Sequence, residues 1–136
     1  MAIDITASAG VFDEMAEPLI MRRVFDALLA AIDATDGDRA ASVMGVVLHV
    51  VPASRVALGG AIVSAVRIDI VLPGVALASF RRRRRFIADA TAAVSTLASD
   101  PQVAARTVVR IVHSVDGGWG IGGHAFTNDE IDEGPE

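Results

Sequence analysis

The strongest constraint in this 136-residue sequence is that it repeats itself. Ile3-Asp4-Ile5-Thr6 returns as Ile68-Asp69-Ile70-Val71, and Gly10-Val11 returns as Gly74-Val75. A duplicated segment of this length is one supersecondary unit copied and fused. Each Ile-Asp-Ile copy alternates apolar and polar residues, as a half-buried strand does. A turn and an amphipathic helix follow each copy. The first helix is predicted over Asp13 to Ala34, burying Leu19, Val24, Phe25, Leu28, Leu29 and Ile32; the second over Leu77 to Ala98, burying Phe86, Ile87, Ala90, Ala93, Val94 and Leu97. Asp13 and Ser79 are candidate caps. Asp36-Gly37-Asp38 and Ser99-Asp100-Pro101 mark the helix ends.

A β-branched strand follows each helix, over Val43 to Val51 and over Thr107 to Val112, and each half closes on a glycine pair, Gly59-Gly60 and Gly122-Gly123. The expected fold is therefore α+β: two fused β-α-β units in one four-stranded mixed sheet, with two helices on one face. The units span about residues 2–63 and 66–128 of a single domain, 1–128, followed by an acidic C-terminal tail, 129–136. One β-α-β unit cannot cover both faces of its sheet. Two of them still leave one face bare, and other subunits cover it most simply. Apolar residues make up 52% of the chain and mean hydropathy is +0.48, in keeping with a core extended across an oligomer interface. No apolar run reaches the roughly 18 residues of a membrane span, and no signal peptide precedes the first strand. No membrane association and a cytoplasmic location are expected.

Composition narrows the chemistry further. All 12 basic residues are arginine, and there is no lysine, cysteine or tyrosine. Lysine Schiff bases, thiol catalysis, disulfides and phenolic acids are excluded, so any amine catalysis must use the α-amino group of the chain. The net charge of −5 argues against nucleic acid as a partner. His49, His113 and His124 are dispersed without metal-ligand spacing, and no metal or cofactor is implied. Arg81 to Arg85 spread around a helix start rather than forming one stripe, and are expected to be solvated or paired with acidic residues of a neighbouring chain, such as Asp129, Glu130, Asp132 and Glu133 of the tail. The glycine pairs follow strands but open no helix, so they are hairpin or bulge glycines rather than phosphate loops.

The second hairpin, Asp116-Gly117-Gly118-Trp119-Gly120-Ile121-Gly122-Gly123, resembles the aromatic-Gly-Ile-Gly-Gly hairpin of 4-oxalocrotonate tautomerases. Arg55-Val56-Ala57-Leu58-Gly59-Gly60 is a degraded copy of it. With the duplication, nearly the whole chain, about 2 to 131, resembles the fused members of the tautomerase superfamily, including the cis-3-chloroacrylic acid dehalogenase and macrophage migration inhibitory factor groups. The resemblance implies a trimer with sites at subunit boundaries, and catalysis by an N-terminal proline exposed when the initiator Met is removed. Here that position is Ala2, whose primary amine would have an ordinary pKa of about 7.7–8.0. The resemblance also implies arginines after the first turn, where this chain has Val11-Phe12 and Val75-Ala76, and a strand arginine near Gly45 or Val108. A water-activating carboxylate would fall near Ile121.

The candidate site residues are Ala2 as the catalytic N-terminus, Arg110 and Arg67 as a grip for a substrate carboxylate, and Trp119 as a pocket wall. Arg67 aligns with Ala2 across the repeat. The competing assignment for the two arginines is an inter-subunit ion pair with Asp4 or Asp69. The functional expectation is a homotrimer without the N-terminal proline that, if active, carries out tautomerase or isomerase proton transfer on a small keto or enol acid. The alternative is a non-catalytic trimer of the same fold that binds a small ligand or a protein.

Overall fold

A computed structural model describes residues 2–34, 37 and 41–132. The central sheet has the order β2-β1-β5-β6, built from β1 (Ile3–Ser8), β2 (Val46–Val51), β5 (Val66–Pro73) and β6 (Thr107–Ser114). β1 pairs with β2 in parallel and β5 with β6 in parallel, while β1 and β5 meet antiparallel at the centre. This is the mixed sheet expected of two β-α-β units. The duplicated tripeptides pair with each other: Ile3 lies opposite Ile70, Asp4 opposite Asp69, and Ile5 opposite Ile68.

Strand alternation sorts these residues onto two faces. Ile3, Ile5, Ala7, Val66, Ile68, Ile70 and Leu72 are buried under helices α1 (Ala16–Ala31) and α2 (Phe80–Leu97). From α1 come Ile20, Val24 and Leu28, and from α2 come Phe86, Ala90 and Val94, forming one core. The opposite face carries the polar members of the same strands.

Both helices begin three residues later than the sequence predicts. The Asp13 carboxylate still serves the start of α1, accepting the Ala16 N–H at 2.8 Å. Pro18 occupies the first turn, where its missing N–H costs nothing. Ser79 caps α2 as expected, its Oγ accepting the Arg82 N–H at 3.2 Å. Two stripe assignments are corrected. Leu19 is 50% exposed, and Ile20 takes the buried position in its place. Ile87 is 40% exposed, because it lies on the flank of α2 in an open groove shared with Phe80 and Ile111. The predicted stop at Asp36-Gly37-Asp38 lies largely outside the described residues. The second strand of the first unit starts at Val46 rather than Val43, since Ala41–Val43 form a 3-10 turn.

Each unit closes on a short hairpin: β3 (Ala57–Leu58) with β4 (Ala61–Ile62), and β7 (Trp119–Ile121) with β8 (His124–Phe126). The glycine pairs are the two-residue turns. Gly59 and Gly60 have φ of 58° and 81°, and Gly122 and Gly123 have φ of 58° and 87°. Left-handed values at both central positions are what a type I′ hairpin demands, and only glycine adopts them freely. A short helix α3 (Asn128–Asp132) follows.

If the core sits where the burial places it, Phe86→Ala should lower the unfolding free energy by about 3–5 kcal/mol. Phe80→Ala on the exposed flank should stay within about 0.5 kcal/mol. Urea denaturation of both variants measures the contrast, and equal effects would refute this assignment of the core.

Candidate functional site

The open sheet face is a grid whose rows follow from the register. One row runs Val47, Asp4, Asp69, Arg110, and the next runs His49, Thr6, Arg67, Val108. Asp4 and Asp69 are direct cross-strand neighbours, where like charges destabilise a sheet. Each carboxylate has its own counter-group. His49 Nε2 lies 2.8 Å from Asp4 Oδ1. Asp69 takes both arginines, with Arg67 Nε 2.8 Å from Oδ2 and Arg110 Nε 2.5 Å from Oδ1.

Within the chain, both arginines are joined to Asp69. Each spends only its Nε–H on Asp69. The terminal nitrogens of both guanidiniums have no partner among the described residues, and both side chains are more than half exposed. Burial by itself would raise the Asp69 pKa, but the Arg110 hydrogen bond and the charges of Arg67 and Arg110 outweigh it, and the carboxyl titrates below its ordinary value. The Arg110 guanidinium is pushed up by the same bond.

Ala2 immediately precedes β1 and is only 1% exposed, packed among the buried core residues. Its nitrogen donates to the Gly45 carbonyl at 3.1 Å, and its carbonyl accepts the Val71 N–H at 3.0 Å. Strand alternation puts Ala2 on the open face, one row from Asp4 and Asp69 and two rows from Arg67. Ala2 and Arg67, equivalent in the repeat, therefore stand toward opposite ends of the sheet. Arg110 is the arginine on the nearer row. Trp119 lies in the hairpin that follows β6, at the end of the sheet where β1 begins. It is half-buried against the core and pairs with Phe126. Phe12 is buried in the core.

The remaining sequence candidates have local roles. His113 Nε2 bonds the Ala76 carbonyl at 2.7 Å, and His124 lies 3.6 Å from Glu130 and edge-on to Phe126. Glu130 titrates below its ordinary value, chiefly because the Thr127 N–H donates to it. Among the described residues, no three His, Asp or Glu side chains gather as a metal site. In the arginine run, Arg82 pairs with Asp33 at 2.9 Å and Arg85 with Asp89 at 3.7 Å, while Arg83 donates to the Leu77 and Ala78 carbonyls. No helix among the described residues is long and apolar enough to cross a membrane.

A structure of native fused 4-OT is 22% identical, with 90% of this chain and 94% of that one covered at a TM-score of 0.75. The chain has the fused 4-OT fold. A member of the cis-3-chloroacrylic acid dehalogenase family aligns at 11% identity, covering 98% of this chain and 88% of that one at a TM-score of 0.77. A malonate semialdehyde decarboxylase inhibited by 3-bromopropiolate aligns at 16% identity, covering 90% and 89% at 0.69. No protein-family model and no curated protein matches the sequence. These identities speak for the fold shared by tautomerase-superfamily structures, and leave the chemistry to the residues of this chain.

Because folding lowers the pKa of Asp69, its stabilising contribution is complete above the unfolded value of 3.8 and is lost as pH falls through the folded value. Asp69→Asn should be less stable than the parent at pH 7 and should converge on it below about pH 3. Urea midpoints at the two pH values test this. A constant difference would show that Asp69 does not hold the two arginines as a carboxylate.

Proposed function

We propose that this protein assembles as a homotrimer, acts in the cytoplasm, and binds a small carboxylate-bearing keto or enol acid on the face that carries Arg67 and Arg110. The fork at Asp69 carries this reading. One carboxylate aligns two guanidiniums through their Nε–H groups and leaves their planar terminal nitrogens exposed. Those nitrogens suit the bidentate grip that arginine gives a second carboxylate. Fused 4-OT proteins have been solved as symmetric and asymmetric trimers, and this fold supports the same assembly here.

The reaction proposed is proton transfer of the tautomerase or isomerase type at the α-amino group of Ala2, released by removal of Met1. A primary α-amine has an ordinary pKa of about 7.7–8.0, close enough to neutrality to accept a proton. Arg110 stands on the row next to Ala2 and would orient the carboxylate, Arg67 would extend the positive field, and Trp119 would close the pocket. No cofactor or metal enters this scheme. A second reading, a non-catalytic trimer that binds a ligand or a protein, is favoured by the Ala2 nitrogen being already engaged by the Gly45 carbonyl.

Intact mass separates the two. The sequence has no lysine, so an imine trapped by borohydride must sit on the N-terminal amine. The catalytic reading predicts a mass lacking Met1 and a reduced adduct with a small α-keto acid. It also predicts that the adduct is diminished for an aldehyde without a carboxylate, and about tenfold by Arg110→Gln. A mass retaining Met1 with no selective adduct would eliminate the amine mechanism and leave the non-catalytic trimer.

A further inference from the structure

A cavity of about 380 Å³ lies away from the arginine fork, where the loop after β1, the segment before β5 and the turn after α2 converge. It falls within the ~300–1,000 Å³ of small-molecule sites, near the small end. The buried side chains of Val11 and Val103 contribute to its lining, with Val63 beside them. Two opposite charges also line it, Asp100 and Arg106.

These charges do not neutralise each other. Asp100 and Arg106 form no ion pair, and each is tied down separately. Asp100 Oδ1 accepts the Gln102 N–H at 3.0 Å, and the Arg106 Nε–H donates to the Ser64 carbonyl at 2.7 Å. Asp100 Oδ2 and the terminal nitrogens of Arg106 have no partner among the described residues. Asp100 lies three residues past the end of α2 and caps a 3-10 turn, Pro101–Arg106, whose last residue is Arg106, so the two charges are held at opposite ends of one short element. The Ser99 N–H bonds the Val11 carbonyl at 2.9 Å and locks this corner against the loop after β1.

A fixed anion and a fixed cation that share one small cavity without closing on each other call for a ligand with both charges. The geometry points to a binding site for a small zwitterion, an α-amino acid with a short apolar side chain. Its ammonium is held by Asp100, its carboxylate by Arg106, and its side chain rests on the valines. A simple keto acid, lacking the ammonium, satisfies only half of the site.

Leucine, 4-methylpentanoate and 3-methylbutylamine share a similar carbon skeleton and differ in charge. Each is titrated into the ¹⁵N-labelled full chain at matched ionic strength, following the amides of Gly10, Ser64 and Ser99. Leucine should produce saturable shifts at these amides, and either singly charged analogue should bind about tenfold more weakly or worse. Asp100→Asn keeps an acceptor for the Gln102 N–H while removing the charge, and Arg106→Gln keeps a donor for Ser64. Each should weaken leucine by about tenfold. No saturable shift with leucine, equal binding of an analogue, or leucine binding unchanged in both variants would overturn the proposal.

Discussion

A sheet with both of its helices on one face has a second face that water or another chain must meet, and the rest of this structure is arranged around that condition. The helix side is closed. Isoleucines from both copies of the repeat interlock with Phe86, Val94, Ile20 and Leu28, and every large member of that set is at or near zero exposure. The open side mixes valines with charges. Val71, Val108 and Val112 are 39%, 45% and 55% exposed and stand beside the Asp69 fork. β-branched residues on a bare sheet face gain little until a partner covers them.

The duplication adds a second constraint. Copying Ile-Asp-Ile and pairing the copies antiparallel places two carboxylates side by side at the centre of the sheet, whatever else the sequence does. The two halves resolve this differently. Asp4 takes a histidine, and Asp69 takes two arginines. The β5–β6 side of the open face thereby becomes the cationic side, with guanidinium nitrogens to spare. A symmetric repeat thus acquires one end suited to an anion.

Much of the fold was legible in the sequence, and for physical reasons. The repeat fixes two equal units, strand alternation fixes the buried isoleucines, and glycine pairs permit the left-handed turns. The expected sheet and helix placement follow from those alone. Helix phase was less legible. Leu19 and Ile20 are adjacent and both apolar, so only the start of α1, set by Asp13 reaching Ala16, decides which one faces the core. Ile87 has the spacing of a core residue, yet faces a groove because α2 overhangs an edge strand. The arginine fork was half legible. Arg67, Arg110 and Asp69 could be named from their strand positions, but their union depends on β5–β6 register, which no single strand encodes. The Asp100–Arg106 cavity had no signature in sequence, since it joins three separate chain segments through the Arg106 side chain on Ser64 and the Ser99 N–H on Val11.

The central claim is that the open face is an interface, and that the two fused units are complete only within an assembly. Sedimentation equilibrium across a range of micromolar concentrations tests it most directly. The account predicts the mass of three chains, persisting on dilution. A folded monomer at every concentration would contradict it, and would leave the valines and the arginine fork as plain solvent-exposed surface.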